Sequence, residues 1–143
     1  MRTTAVVLTW LLAAPVFADP RDVVVEARAH ERAGEWREAS DAYRGLEAEA
    51  QYRGLALYGE AYASFQLGDF AAAQVLAARS IAERGPRQQD ARELYGDALY
   101  KQREVARARD VYVATEKRAT SVVQRASLRK KIAACDRMLR KTA

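Results

Sequence analysis

Three stretches of this sequence repeat one pattern: AGEWREA at residues 33–39, LGDFAAA at 67–73 and QREVARA at 102–108. Gly34 precedes Gly68 by 34 residues, and Arg103 follows Gly68 by 35 residues. Two successive steps of nearly equal length indicate an internal repeat, in which each unit is one supersecondary element that stacks on the next. The repeat therefore determines which fold we expect.

Each stretch has the chemistry of a tight turn between two helices. Glycine accepts the left-handed conformation that ends a helix, and the first two units have glycine at that place, where the third has Arg103. A carboxylate follows, where the dipole of the next helix favours negative charge. A bulky apolar residue comes next, and then an alanine that lets two helices approach. These positions hold Glu35, Trp36 and Ala39, then Asp69, Phe70 and Ala73, then Glu104, Val105 and Ala108.

The composition also favours a small helical protein. The 143 residues include seven Gly and three Pro, too few for a fold made of many turns, and they are rich in Ala, Arg, Glu and Leu. His30 and Cys135 are the only residues of their types, whereas a hydrolase triad or a zinc site needs more. We therefore expect no enzyme, no metal and no cofactor. We expect His30 to pack between helices and Cys135 to be buried, with an intermolecular disulfide as the alternative.

The three in-phase units resemble the tetratricopeptide repeat (TPR) family, whose unit of about 34 residues is a pair of helices. The resemblance implies an all-α, right-handed superhelix of three hairpins across residues 19–119, with repeats at about 20–53, 54–88 and 89–119. The sequence departs from the family pattern at Arg103 and at the repeat-closing proline, which occurs only as Pro86. We expect helices over residues 22–33, 36–50, 51–67, 70–83, 87–102 and 104–118.

Residues 120–143 are predicted to form a seventh helix that caps the last hairpin. Its apolar residues recur at steps of four, three and four, which gives one apolar stripe: Leu128, Ile132, Cys135 and Leu139. Thr120 or Ser121 can cap the start of this helix. A repeat array needs such a helix, because its last hairpin would otherwise expose an apolar face.

The first 18 residues have the pattern of a secretory signal peptide. Arg2 precedes an apolar run from Ala5 to Ala14, and Val16 and Ala18 are small residues of the kind that signal peptidase accepts. The run is shorter than the roughly 20 residues that cross a bilayer. We expect cleavage after Ala18 and a periplasmic or secreted protein without a membrane span; an uncleaved anchor is the alternative.

Charge divides the chain into two parts. Residues 19–116 carry a net charge of −4, and residues 117–143 carry +8. The candidate contact residues of the basic helix are Arg125, Arg129, Lys130 and Arg137. The plainest interpretation is a solvated face, and the alternatives are contact with an acidic protein or with an anionic membrane surface. We do not expect a nucleic-acid partner for an exported protein.

The resemblance further implies a concave groove, lined by the first helix of each hairpin, in which ligands bind as peptides. The groove-facing candidates are Arg28, Tyr58, Tyr62, Phe65, Glu93, Asp97, Tyr100 and Lys101. Aromatic rings beside cations are typical of binding hot spots. The alternative is that Phe65 and one tyrosine simply pack between hairpins.

Some TPR domains hold a peptide's terminal carboxylate with a set of basic and amide side chains. The matching places here hold Val24, Arg28, Gly59, Asp90 and Leu94. Only Arg28 has suitable chemistry, so we expect no such clamp. The carboxylates of Asp90, Glu93 and Asp97 favour a ligand of basic character instead.

Together these features predict an exported adaptor that binds another protein or a peptide through its groove, in a bacterial envelope assembly. The alternative is a structural component that self-associates, or docks on a larger machine, through the basic C-terminal helix.

Overall fold

A computed structural model describes residues 18–143, and it contains seven α-helices. They are α1 (Pro20–Ala33), α2 (Trp36–Arg44), α3 (Ala50–Gln66), α4 (Phe70–Ala82), α5 (Gln88–Lys101), α6 (Val105–Arg118) and α7 (Val122–Thr142). Residues 18–143 contain no strand, and none of their helices has the length and apolarity needed to cross a bilayer. The predicted signal peptide lies, except for Ala18, outside the described part of the chain.

The helices pack in chain order, each mainly on the helices before and after it, and α3 also touches α5. The pairs α1–α2, α3–α4 and α5–α6 therefore stack as three successive hairpins, and α7 packs on α6 at the end of the stack. Such nearest-neighbour stacking is typical of helical repeat proteins. The predicted all-α, right-handed superhelix with a closing helix is confirmed.

The three repeated turns share one backbone conformation. The φ angle is 74° at Gly34, 83° at Gly68 and 68° at Arg103. All three residues are thus left-handed, which costs a residue with a side chain about 1–2 kcal/mol. Arg103 therefore carries a backbone strain that the two glycines avoid. After the second turn, Asp69 caps α4 as its Oδ1 accepts a hydrogen bond from the Ala72 amide at 3.0 Å.

Small residues allow the helices to approach one another. The alanines of the repeat and those facing them are fully buried: Ala27, Ala39, Ala61, Ala73 and Ala108. Glycine is required where a tyrosine ring comes closer still. A Cβ atom on Gly96 would lie 2.6 Å from the Tyr112 ring, and one on Gly59 would lie 2.4 Å from the Tyr43 ring.

The second helix is shorter than predicted, because it ends at Arg44 and not at residue 50. Beyond it the hydrogen bonds span three residues: the Leu46 amide donates to the Tyr43 carbonyl at 2.9 Å, and the Glu49 amide donates to the Leu46 carbonyl at 3.1 Å. This tighter turn buries Leu46 in the core beside Val24 and Tyr43. Gly45, a poor helix former directly after Arg44, and the burial of Leu46 both favour an end of the helix here. The other helix ends agree with prediction within two residues.

The apolar stripe of α7 packs as predicted. Leu128 and Cys135 are fully buried, and Ile132 and Leu139 are half-buried against the same core cluster. Ser121 caps the helix, since its Oγ accepts a hydrogen bond from the Gln124 amide at 3.4 Å. The prediction that Cys135 is buried is confirmed, and burial raises the pKa of its thiol.

Candidate functional site

Aromatic side chains run along α3. Tyr58, Tyr62 and Phe65 are half-buried and pack against one core cluster. The rings of Tyr58 and Tyr62 are stacked, with centroids 6.3 Å apart and planes 21° apart. The three rings therefore lie on one face of α3, as their spacing predicts. Each ring is partly packed and partly open, so packing and ligand binding are compatible roles.

Two further rings, which the repeat pattern places just after the turns, extend this group. Trp36 meets Tyr62 edge to face at a centroid distance of 5.7 Å, and Phe70 meets Phe65 in the same way at 5.2 Å. We call Trp36, Tyr58, Tyr62, Phe65 and Phe70 the aromatic face. The sequence does indicate Trp36 and Phe70, because each lies two residues after a turn glycine. That position places them at the start of the helices that pack against α3.

Cations flank the aromatic face at both ends. The guanidinium carbon of Arg87 lies 5.3 Å from the Tyr58 centroid, and Lys101 Nζ lies 6.0 Å from the Phe70 centroid. Such cation–π contacts contribute about 0.5–1 kcal/mol at exposed sites. Lys101 belongs to the predicted groove. Arg87 is not among the predicted groove residues; it is the N-cap residue of α5, one position before the helix begins.

Arg28 lies on α1, the first helix of the first hairpin. Burial raises the pKa of Tyr43, and the positive charges of Arg28 and Arg87 oppose that rise. Burial also raises the pKa of Tyr58 to about 12, so its hydroxyl is neutral at physiological pH. Arg28 itself is exposed and has no carboxylate within 4 Å among residues 18–143.

The carboxylates predicted to line the groove on α5 are bound by α7. Lys131 Nζ lies 2.8 Å from Glu93 Oε1 and 2.7 Å from Asp97 Oδ1, and the Tyr112 hydroxyl donates to Asp97 Oδ1 at 2.7 Å. Burial lowers the pKa of Lys131, but its hydrogen bonds to Asp97 and Glu93 and the charges of both raise it by more. Lys131 therefore stays charged and pairs with both half-buried carboxylates, which leaves one net negative charge on the three groups.

Asp90 and Tyr100 have internal partners as well. Arg87 Nη1 donates to Asp90 Oδ2 at 2.9 Å, and the Tyr100 hydroxyl donates to Met138 Sδ at 2.9 Å. Tyr100 also borders a cavity of about 210 Å³ that Asp97 and Lys131 help to line. Because Asp90, Glu93 and Asp97 are all paired, they no longer favour a basic ligand.

The eight predicted groove residues thus fall into two groups. Arg28, Tyr58, Tyr62, Phe65 and Lys101 lie on or beside the aromatic face with part of each side chain open to solvent. Glu93, Asp97 and Tyr100 are joined to α7. A ligand-binding role stays a prediction for both groups.

The four basic residues predicted as contacts on α7 differ in their partners. Arg129 Nε lies 2.6 Å from Glu116 Oε1, and Arg125 Nη2 donates to the Thr120 carbonyl at 3.5 Å. Lys130 and Arg137 are exposed, and neither has a carboxylate within 4 Å in the described part of the chain. Of the four, only Arg129 therefore has a carboxylate partner among residues 18–143, and the charges of the other three are open to an outside partner.

His30 is half-buried and pairs with a carboxylate. Its side chain is 28% exposed, and its Nδ1 lies 2.6 Å from Glu35 Oε2. That hydrogen bond raises the pKa of His30. Across residues 18–143, no group of three or more His, Cys, Asp or Glu side chains is placed to hold a metal ion.

Comparison with known proteins places the fold. No protein-family model and no curated protein matches this chain. Among solved structures it is similar to the first TPR domain of Spaghetti (RPAP3), bound to the HSP90 peptide SRMEEVD. The TM-score is 0.67 at 21% sequence identity, and the match covers 80% of this chain and 91% of that chain. This chain therefore has the fold of a TPR domain.

Proposed function

We propose that this protein is an exported adaptor that binds a peptide segment of another protein at the aromatic face. The observation that carries the proposal is a row of five half-buried rings flanked by cations. Half-buried rings are held rigidly by the core, yet they retain open surface that a ligand side chain can cover. Aromatic and arginine side chains supply most of the binding energy at protein interfaces.

The charges beside the rings favour a ligand with apolar and acidic residues. Arg28 and Lys101 are exposed and have no carboxylate within 4 Å among residues 18–143, whereas Glu93 and Asp97 already share the cation of Lys131. The RPAP3 domain was solved with a peptide bound, which supports a peptide as the ligand class. The clamp places hold only Arg28 as a suitable residue, so we propose that side chains, and not a terminal carboxylate, are recognised.

Self-association through α7 is the weaker alternative. The exposed surface of α7 carries basic residues, and two copies of such a surface repel each other when they meet. A protein whose size does not change between low and high salt would agree with the adaptor role, whereas an oligomer that dissociates in salt would favour the alternative.

Peptide selection tests the adaptor proposal directly. A displayed random peptide library is selected on the purified protein, and the selected peptides are measured by calorimetry against R28E/K101E and Y58A/Y62A. The matched control is K117E/R118E, which makes the same charge change at two exposed residues in the last turn of α6, a helix that packs on α5 and α7.

We expect selected peptides to carry aromatic and acidic residues and to bind R28E/K101E at least about tenfold more weakly. The control should bind as the wild type does. If R28E/K101E and the control variant lost peptide binding equally, the aromatic face would not be the site. The same would follow if Y58A/Y62A stayed folded and bound the peptides as the wild type does.

We propose that the adaptor works in the periplasm, in a bacterial envelope assembly. The N-terminal sequence pattern supports export. Mass spectrometry of the protein recovered from a periplasmic fraction should show a chain that begins at Asp19. A chain that retains Met1 and stays in the cytoplasm would overturn this part of the proposal without affecting the groove.

A further inference from the structure

The side of α7 that faces away from the protein has an unusual composition. Nine exposed residues lie on one side of the helix, opposite its apolar stripe, and we call them the outer face. Five are basic, four are small and apolar, and none is acidic: Val122, Val123, Ala126, Arg129, Lys130, Ala133, Arg137, Arg140 and Lys141. The residues of α7 that face the core include Lys131, whose charge is taken up by α5.

Most charges of the outer face are free. Within residues 18–143, four of its five cations have no carboxylate within 4 Å: Lys130, Arg137, Arg140 and Lys141. The fifth, Arg129, pairs with Glu116, but its side chain is still 70% exposed. The helix has 21 residues and is therefore about 31 Å long. The outer face is thus an extended ridge of positive charge.

The chemistry of this ridge fits a lipid surface better than a protein surface. Protein interfaces are centred on aromatic, Met and Arg anchors packed in apolar surroundings and are poor in Lys. The outer face has three Arg and two Lys, but it has no aromatic residue, Leu or Met beside them. A ridge of long, mobile cations instead matches the diffuse negative charge of anionic headgroups. Val122 and Val123 are 76% and 80% exposed, so one end offers apolar surface to the headgroup region.

The geometry points to docking of the outer face of α7 on an anionic phospholipid bilayer. The opposite charge of residues 19–116, a net −4, turns the rest of the molecule away from such a surface. This inference concerns a surface separate from the aromatic face, and it holds whether or not the aromatic face binds a peptide.

Vesicle co-sedimentation tests the inference. The purified protein is mixed at low salt with vesicles of phosphatidylglycerol and phosphatidylcholine, or of phosphatidylcholine alone. We expect binding only to the anionic vesicles and its loss at high salt, because the attraction is screened. Each cation near an anionic surface contributes about 5-fold to the partition coefficient, so K130Q/R137Q should lower it by roughly 30-fold.

The control is R32Q/R37Q, which removes the same net charge from two exposed residues on α1 and α2. It should bind vesicles as the wild type does, and R28E/K101E should keep vesicle binding even where peptide binding is lost. An equal loss in K130Q/R137Q and R32Q/R37Q would overturn the inference. So would equal binding to phosphatidylcholine alone, or an acidic protein partner held by the outer face without vesicle binding.

Discussion

Replacing Glu60 by glutamine probes a buried carboxyl pair between α3 and the loop before it. The Glu60 side chain is 3% exposed, its Oε2 lies 3.5 Å from Arg44 Nε, and its Oε1 has no hydrogen-bond partner among the described residues. Its neighbour Glu47 pairs with Arg79 at 2.7 Å. Burial raises the pKa of Glu60 to about 7, and the hydrogen bond and charge of Glu47 add to the rise, while Arg44 and Arg79 oppose it.

The raised pKa makes the stability of the protein depend on pH. The folded protein holds the Glu60 proton more tightly than the unfolded chain, so this stabilisation is complete below pH 4.5 and is lost as the pH rises through about 7. The pKa difference corresponds to roughly 3 kcal/mol. Burial would raise the pKa of Glu47, but its hydrogen bonds to Glu60 and Arg79 lower it overall. The stability that Glu47 contributes is therefore lost only as the pH falls below 4.5.

Urea unfolding followed by circular dichroism at about pH 5 and pH 8 measures this effect. We expect the wild type to lose roughly 3 kcal/mol of stability relative to E60Q over that range. The pH response of His30 cancels in the comparison, since both proteins carry it. E83Q, which alters an exposed carboxylate at the end of α4, should behave as the wild type. An E60Q protein with the wild-type pH dependence would refute the assignment of the proton to Glu60.

Three further substitutions test the packing. Gly96→Ala places a Cβ atom 2.6 Å from the Tyr112 ring and should cost about 1–3 kcal/mol in urea unfolding; Gly85→Ala, with open space around its Cβ, should cost less, and equal costs would contradict the argument. Arg103→Gly should stabilise by about 1 kcal/mol, because φ there is 68°; a less stable variant would mean that the arginine side chain has another role. Lys131→Met leaves the α5 carboxylates unpaired and should speed hydrogen exchange in α7, at a cost of about 1–3 kcal/mol; unchanged exchange would show that the ion pairs do not hold α7.

The fold could be predicted from sequence because its determinants are local. A turn residue, a carboxylate, a bulky residue and an alanine recur within seven residues, and each acts on the backbone beside it. The predicted end of α2 was wrong. Gly45 directly after Arg44 is a local signal for a helix end, whereas the burial of Leu46 among residues of α1 and α3 is a contact that no local pattern records.

The site could be predicted only in part, because its charges depend on contacts between distant helices. The spacing of Tyr58, Tyr62 and Phe65 places them on one face of α3 without further information. Helical spacing alone suggests that Glu93 and Asp97 have no ion-pair partner. Their pairing with Lys131 follows from the orientation in which α7 packs, which spacing within α5 does not record. The contact of Arg87 with Tyr58 likewise joins the start of α5 to α3, and a local pattern does not record it.

The order in which the helices pack has a kinetic consequence. Because each helix contacts mainly its neighbours along the chain, the contact order is low and folding should be fast, with each hairpin able to form or open without waiting for distant segments. The first hairpin does not pack against α7, so the two ends of the described chain can unfold independently. A peptide laid across α1, α3 and α5 would join units that the chain itself leaves separate, and unfolding would then become one concerted event.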